Sequence, residues 1–311
     1  MSGSMRRRPH GIIEMGWACI SCACAGRYEH APIAPGIPES LIERFYFDAG
    51  GNLGWRLSGL RTPRGAPAPW KIVVITGAPS WAEYWADALA DLPQDREMVV
   101  IDRPGFAFSE PLAAAPDIAV QARALSPLLH TAPGQRLLLV GQSYGGGVAT
   151  LMAASQPEKV DSLMLLSAYL GEPGPTARRL MEMGSRVLNI IPRDLRNAIV
   201  EVRGQRAQMP AVRLALQRLP LPIHVVHGDQ DDFAPIEVAK ALAERTIGHG
   251  KGTFHIVRGA NHFLNDGPTP ALLAELERVI GLADDVRTGA TDPTNWRPWR
   301  DIAEGDLRLA S

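Results

Sequence analysis

One serine, one aspartate and one histidine in this chain stand where their side chains could carry out acyl chemistry together. The serine is Ser143, in Gly141-Gln142-Ser143-Tyr144-Gly145. The apolar run before it, Leu137 to Val140, is long enough for a buried strand and too short for a helix. Small residues at helical spacing begin at Tyr144. A G-x-S-x-G pattern at such a strand-to-helix turn strains the serine backbone and exposes the hydroxyl above the sheet edge. Gly141 and Gly145 let the neighbouring backbones pass close by. The backbone N–H of Tyr144 and the helix start offer positive potential to an oxyanion made by attack of that hydroxyl. A helix N-cap serine in an ordinary βα turn is the simpler alternative.

A serine nucleophile needs a base to take its proton and an acid to orient that base. Of the eight histidines, His224 and His255 fall inside predicted strands and are expected in the core. His227 precedes Gly228 at a strand end and is expected to be structural, while His10, His30, His130 and His249 lie in no motif. His262 differs. It sits in Arg258-Gly259-Ala260-Asn261-His262-Phe263, between a predicted strand and the last helix, where a loop side chain has the reach of a general base. For the acid, Gly228-Asp229-Gln230-Asp231-Asp232 offers three carboxylates. Asp229 and Asp232 suit turn or cap positions. Asp231, at G-x-x-D, is the expected partner of His262, with Glu172 as the alternative.

The elements that must position these groups alternate. Ile42, Phe45 and Phe47, then Asp48 to Asn52, then Leu53, Trp55 and Leu57 predict a β-hairpin. Lys71 to Thr76 reads as a buried parallel strand, and Met98 to Ile101, Leu163 to Leu166, Ile223 to Val226 and Thr253 to Val257 as further strands. Ser80-Trp81-Ala82-Glu83 predicts a capping box, with Trp81, Tyr84, Trp85 and Leu89 on one helical face. Helices are expected over Asp117 to Leu125, over Ile236 to Arg245, and from Thr269-Pro270 through Ile280. An open, mostly parallel sheet covered by helices on both faces follows.

Residues 169–220 interrupt that rhythm. They read as short helices broken at Pro192, Gly204 and Pro210, a cap over the strand ends where open α/β sheets bind ligands. The segment has nine arginines against Glu172, Glu182, Asp194 and Glu201. A solvated helix face explains them most simply. The alternative is a stripe that attracts an anionic substrate or surface.

The two ends differ from the body. Arg6-Arg7-Arg8, an apolar Gly11 to Cys22 and Ala23-Cys24-Ala25 have the layout of a secretory leader over 1–25, although Glu14 runs against it. Export or membrane anchoring through this segment is one expectation, and a cytoplasmic protein the other. All three cysteines (Cys19, Cys22, Cys24) lie there, so no disulfide framework supports the body, and a metal site would lack a fourth ligand. Residues 26–41 read as a Pro-rich linker, 42–168 with 221–283 as the core, and 284–311 as a polar tail that keeps Trp296 and Trp299. A formal net charge of −1 gives no reason to expect nucleic acid as a partner, and no apolar run could span a bilayer.

From about Ile42 to Ala283 the chain resembles the α/β-hydrolase superfamily. The likeness rests on Thr76-Gly77-Ala78-Pro79, Asp102-Arg103-Pro104-Gly105-Phe106, the turn at Ser143, and the order Ser143, Asp231, His262. The resemblance implies an α/β-hydrolase fold with a small helical cap, and no metal or cofactor. It also implies an oxyanion hole made by the backbone N–H groups of Ala78 and Tyr144. Family members often carry His-Gly where this chain has Thr76-Gly77, which leaves open what holds that loop. Dehalogenases of the family use aspartate as nucleophile, so Ser143 points to acyl chemistry. The expected activity is serine hydrolysis of an ester or related acyl bond in a small apolar molecule, with an anionic group allowed by the arginines. Amide, lactone or carbon–carbon cleavage remain open, because function resides in the pocket and not in the fold. A binding or scaffold protein, or a cofactor-free haloperoxidase- or acyltransferase-like activity, are the alternatives.

Overall fold

Each apolar run read as a strand becomes one in the computed structural model, which describes residues 37–38, 40–246, 252–264, 270–290 and 299–300. The strands are β1 (Glu43–Asp48), β2 (Arg56–Arg61), β3 (Trp70–Ile75), β4 (Arg96–Asp102), β5 (Arg136–Gln142), β6 (Ser162–Leu166), β7 (Ile223–Gly228), β8 (Gly252–Val257) and β9 (Trp299–Arg300). They form one sheet in the order β1-β2-β4-β3-β5-β6-β7-β8-β9, antiparallel at β1/β2 and β2/β4 and parallel elsewhere. The hairpin's second strand starts at Arg56, later than its alternation suggests, because Gly51, Asn52 and Gly54 all take positive φ and lengthen the turn.

The eight α-helices of the described residues are α1 (Ala86–Ala90), α2 (Ile118–Leu125), α3 (Gly145–Ser155), α4 (Pro175–Ser185), α5 (Arg193–Gln205), α6 (Met209–Arg218), α7 (Ile236–Thr246) and α8 (Pro270–Thr288). Alternation along the strands feeds two cores, one on each face of the sheet. Val73, Ile75, Leu137 and Leu139 pack with Val148, Met152 and Val212 on one side. Ile72, Val74, Leu138 and Val140 pack with Trp85, Leu276 and Ile280 on the other. The connection after β3 leads to β4 on one flank, while β5 lies on the other. The β3/β5 boundary is therefore the switch point, and the crevice beyond its carboxyl ends is where such sheets hold ligands.

Three local expectations change. The capping box at Ser80 does not form: residues Ala82–Trp85 make a short 3₁₀ helix without a side-chain cap. The reason is competition, since the Ala82 N–H donates to Asp102 Oδ1 at 2.8 Å and Glu83 pairs with Arg44. Of the proposed breaks at 192, 204 and 210, α5 runs through Gly204, and Pro210 stands in the first turn of α6, where its missing N–H costs nothing. The last helix extends past the expected boundary at 284, with Asp284 accepting from Trp70 Nε1 (3.3 Å) and Arg136 Nη1 (2.6 Å). Long-range anchoring of this kind leaves no trace in local periodicity. The leader, His10, His30, His249, Thr269 and Trp296 lie outside the described residues, as do most of the linker and tail. Among the described residues no helix is long and apolar enough to cross a membrane.

Candidate active site

Ser143 ends up at the tip of the β5–α3 turn with φ +50°, a strained left-handed backbone for a side-chain-bearing residue. The turn persists because its surroundings fix it. Ser143 N–H donates to Leu166 O (3.0 Å), and its carbonyl accepts from Gly146 and Tyr169 (3.0 Å each). The flanking glycines are steric requirements: a Cβ on Gly145 would lie 2.2 Å from Ile75 O, and one on Gly141 would lie 2.6 Å from Gly146 Cα. Trp85 Nε1 holds the neighbouring Gln142 side chain at 3.1 Å.

The structure brings the other two predicted groups to this serine. His262 Nε2 lies 3.0 Å from Ser143 Oγ, and His262 Nδ1 lies 2.8 Å from Asp231 Oδ2. An Nδ1–H donated to the carboxylate leaves the Nε2 lone pair facing the hydroxyl. The imidazole stacks on Phe233 (5.2 Å between centroids) and meets Phe263 edge-on (5.3 Å), which limits its rotation. Asp231 Oδ1 accepts the backbone N–H of Phe233 (2.9 Å) and Ala234 (2.8 Å). Burial alone would raise the Asp231 carboxyl, but the hydrogen bonds from His227 and His262 outweigh it and hold the group well below the usual carboxylate range.

His227 was expected to be structural, and its contact with Asp231 is what sequence reasoning missed. Fully buried, it places Nε2 at 2.6 Å from Ala234 O and 3.1 Å from Asp231 Oδ2. Both partners are acceptors, so Nε2 carries the proton. The signal in hindsight is the i,i+4 spacing of His227 and Asp231 across one turn. The competing carboxylates go elsewhere: Asp229 accepts from Gly259 N–H (2.6 Å), Asp232 from the Thr176 hydroxyl, and Glu172 pairs with Arg206 (3.2 Å). His224 and His255 are buried in the core as expected, His224 against Thr253 and His255 against Glu275.

Gly77 and Ala78, after β3, face the serine; a Cβ on Gly77 would lie 3.0 Å from Ser143 Cβ. The backbone N–H groups of Ala78 and Tyr144 donate to no other described residue. What holds this loop, in place of the missing histidine, is Arg103. Its Nε donates to Thr76 O (2.8 Å) and its Nη2 to Gly77 O (2.7 Å), which fixes both carbonyls. Its Nη1 reaches Glu201 of α5 (2.8 Å) and Gln121 of α2 (2.9 Å), and its plane is covered by Phe106 and Tyr144. Arg103 and Glu201 are fully buried, a placement that only a complete set of partners sustains. Burial pushes Glu201 up to about 7, against the pull of Arg103 and Gln121. The Asp-Arg-Pro-Gly stretch contributed to the family likeness, but its arginine's task was not legible.

Over Ser143 and His262 opens a cavity of about 320 Å³, walled by Trp81, Tyr169, Leu180, Leu195, Val202 and Phe233 among others. None of its described lining residues is a carboxylate, lysine or arginine, and burial pushes Tyr169 up to about 12. Among the described residues no group of three or more His, Cys, Asp or Glu side chains could hold a metal ion.

Comparison with known proteins agrees with this architecture. Residues 71–216 match the sequence profile of the alpha/beta hydrolase fold. A 2-hydroxy-6-oxononadienedioate/2-hydroxy-6-oxononatrienedioate hydrolase of Paraburkholderia phymatum is 24% identical over 225 residues, 60% of this chain and 77% of its own. Among solved structures, a 2-hydroxy-6-oxo-6-phenylhexa-2,4-dienoate hydrolase from Rhodococcus sp. strain RHA1 superposes with TM-score 0.59 at 19% identity, covering 77% of this chain and 99% of that one. An esterase from Thermogutta terrifontis superposes with TM-score 0.55 at 20% identity, covering 80% and 98%. The chain has the α/β-hydrolase fold.

Proposed function

We propose that the protein is a serine hydrolase that cleaves a neutral, apolar ester through an acyl-enzyme. The observation that carries this reading is the unbroken hydrogen-bonded path from Asp231 through His262 to Ser143 Oγ, ending at the wall of an uncharged cavity. Ser143 Oγ attacks the carbonyl carbon while its proton passes to His262 Nε2, and Asp231 stabilises the imidazolium. The carbonyl electron pair moves onto oxygen, where the N–H groups of Ala78 and Tyr144 receive it; one such donor is worth about 10²–10³ in rate. Collapse breaks the C–O bond, and His262 returns its proton to the departing alkoxide. Water then attacks the acyl-serine with His262 as base, and a second collapse frees the acid and restores the Ser143 hydroxyl. Residues 169–220 serve as the cap that walls off the cavity.

The substrate of the Paraburkholderia relative, as named, is a dioate without an ester, so its hydrolysis must break a carbon–carbon bond. The same reaction on a carboxylate substrate would call for a cation facing the cavity. Its described lining has none, and Arg103 is committed to Glu201 and the loop carbonyls. This favours the neutral ester, and with it a substrate lacking the anionic group that the arginine count had allowed.

A fluorophosphonate probe tests the reading. Intact mass and peptide mapping are expected to show one adduct on Ser143, absent in Ser143→Ala, with hydrolysis of neutral nitrophenyl esters exceeding that of carboxylate-bearing analogues. A folded protein that takes no adduct, or a Ser143→Ala variant that keeps its activity, would overturn it.

A further inference from the structure

The outer surface of α4 and the chain just beyond it are unusual for a protein in water. No residue of α4 is buried, yet Leu180, Met183, Val187 and Ile190 are all exposed, Met183 at 65% and Ile190 at 83%. They recur at intervals of three or four, so they form one stripe, continued past Ser185 by the turns that link Val187 to Gly184 and Ile190 to Val187. One flank of α4, beside the stripe, packs on α5. Gly184 packs so tightly on α5 that a Cβ there would lie 2.3 Å from Ile199 Cδ1.

Cations border the stripe. Arg179 and Arg186 are exposed on and just after α4, and Arg196 and Arg203 are exposed on α5 with the exposed Val200 between them. Among the described residues, none of these four arginines forms an ion pair, whereas Arg193 and Arg206 nearby do. Glu182 is the one exposed acid within α4. An apolar stripe edged by unpaired guanidinium groups has the composition of a surface that lies on an anionic bilayer: the apolar side chains enter the acyl boundary and the arginines meet the phosphates. An acidic protein partner would satisfy the arginines but would give Ile190 and Met183 nothing apolar to enter.

Position completes the argument. Leu180 belongs both to this stripe and to the wall of the cavity over Ser143, so the stripe leads to the cavity mouth. We propose that α4, the turn after it and the exposed edge of α5 form a docking face for anionic lipid surfaces, through which an apolar ester reaches the cavity past Leu180. The docking itself stands on geometry alone, while the entry of an ester rests on the hydrolase reading above.

The test is co-sedimentation of the full chain with vesicles of phosphatidylcholine, with and without phosphatidylglycerol, at low and high salt. Binding is expected only to the anionic vesicles and is expected to weaken with salt. Arg179→Gln with Arg186→Gln should lower it on the order of tenfold, and Ile190→Ser with Met183→Ser should lower it by a similar factor while leaving hydrolysis of a water-soluble ester within twofold. These side chains are exposed, so the fold is not at stake, and circular dichroism verifies that. No binding to anionic vesicles, binding that survives both double variants, or binding to soluble poly-glutamate instead of vesicles would each overturn the proposal. Because sedimentation needs no turnover, its failure is distinguishable from failure of the hydrolase reading, which the fluorophosphonate adduct reports.

Discussion

Arginine has two opposite settings in this molecule. Beneath the Ser143 turn, Arg103 is sealed from solvent with its donors matched to Thr76, Gly77, Gln121 and Glu201. On the outer side of α4 and α5, Arg179, Arg186, Arg196 and Arg203 stand exposed beside apolar neighbours and form no ion pair among the described residues. A buried guanidinium is tolerable only when every partner is in place, so the residues around it cannot move independently. An exposed one is free to change partners. The first setting fixes geometry, and the second leaves a surface available.

The largest effect is expected where the fixed side meets the chemistry. Asp231→Asn should lower kcat by about 10³–10⁴, because the imidazole loses both the tautomer and the charge that the carboxylate imposes; steady-state kinetics on a soluble ester check this. If kcat falls less than tenfold, His227 and the aromatic neighbours hold His262 without Asp231.

Next comes the loop anchor. Removing Arg103 alone would strand a buried carboxylate, so the informative variant is Arg103→Met combined with Glu201→Leu, which removes both charges. Its melting temperature should fall by a few degrees, since Thr76 O, Gly77 O and the Gln121 side chain lose a buried donor, while kcat falls about 10- to 100-fold, the loss anticipated when the proposed oxyanion donors are displaced and not deleted. An unchanged kcat would mean that the Thr76–Ala78 loop holds itself. The same pair of changes should leave vesicle binding intact, which sharpens the contrast with the outer arginines.

The smallest effect concerns acid stability. The Asp231 carboxyl is depressed in the folded chain, so its stabilising contribution is fully present above its ordinary value near 4 and is lost as pH falls below that, towards the depressed one. Thermal unfolding should therefore show Asp231→Asn less stable by about 1–3 kcal/mol at neutral pH. The gap should narrow only in solutions more acidic than about pH 4. A gap that closes already near pH 6 would place the responsible charge elsewhere.

The strands and the Ser143 turn were readable from sequence because their signals are local. A short apolar run followed by glycines and small residues leaves few alternatives, and the steric contacts of Gly141 and Gly145 give the physical reason. The placement of His262 and Asp231 was also legible, since each follows a strand whose carboxyl end must reach the same sheet edge. Features made by contacts between distant segments were hidden. Nothing near residue 103 announces Glu201, nothing near Trp70 announces Asp284, and Ser80 looked like a cap until Asp102 took the Ala82 N–H. The apolar stripe on α4 escaped for another reason: periodicity shows that one face is apolar but not whether anything covers it.

The Glu201 contact also bears on how this chain could be re-engineered. Segments inserted between two strands are attractive units for exchange between relatives, because swapping them promises a new specificity on an old catalytic frame. Here the inserted segment supplies a buried counter-charge to the frame, and the arginine it neutralises holds the loop facing Ser143. A graft that replaced α5 without bringing an equivalent acid would change the geometry around Ser143 along with the specificity, whereas α4 and residues 186–192 contribute no atom to that ion pair.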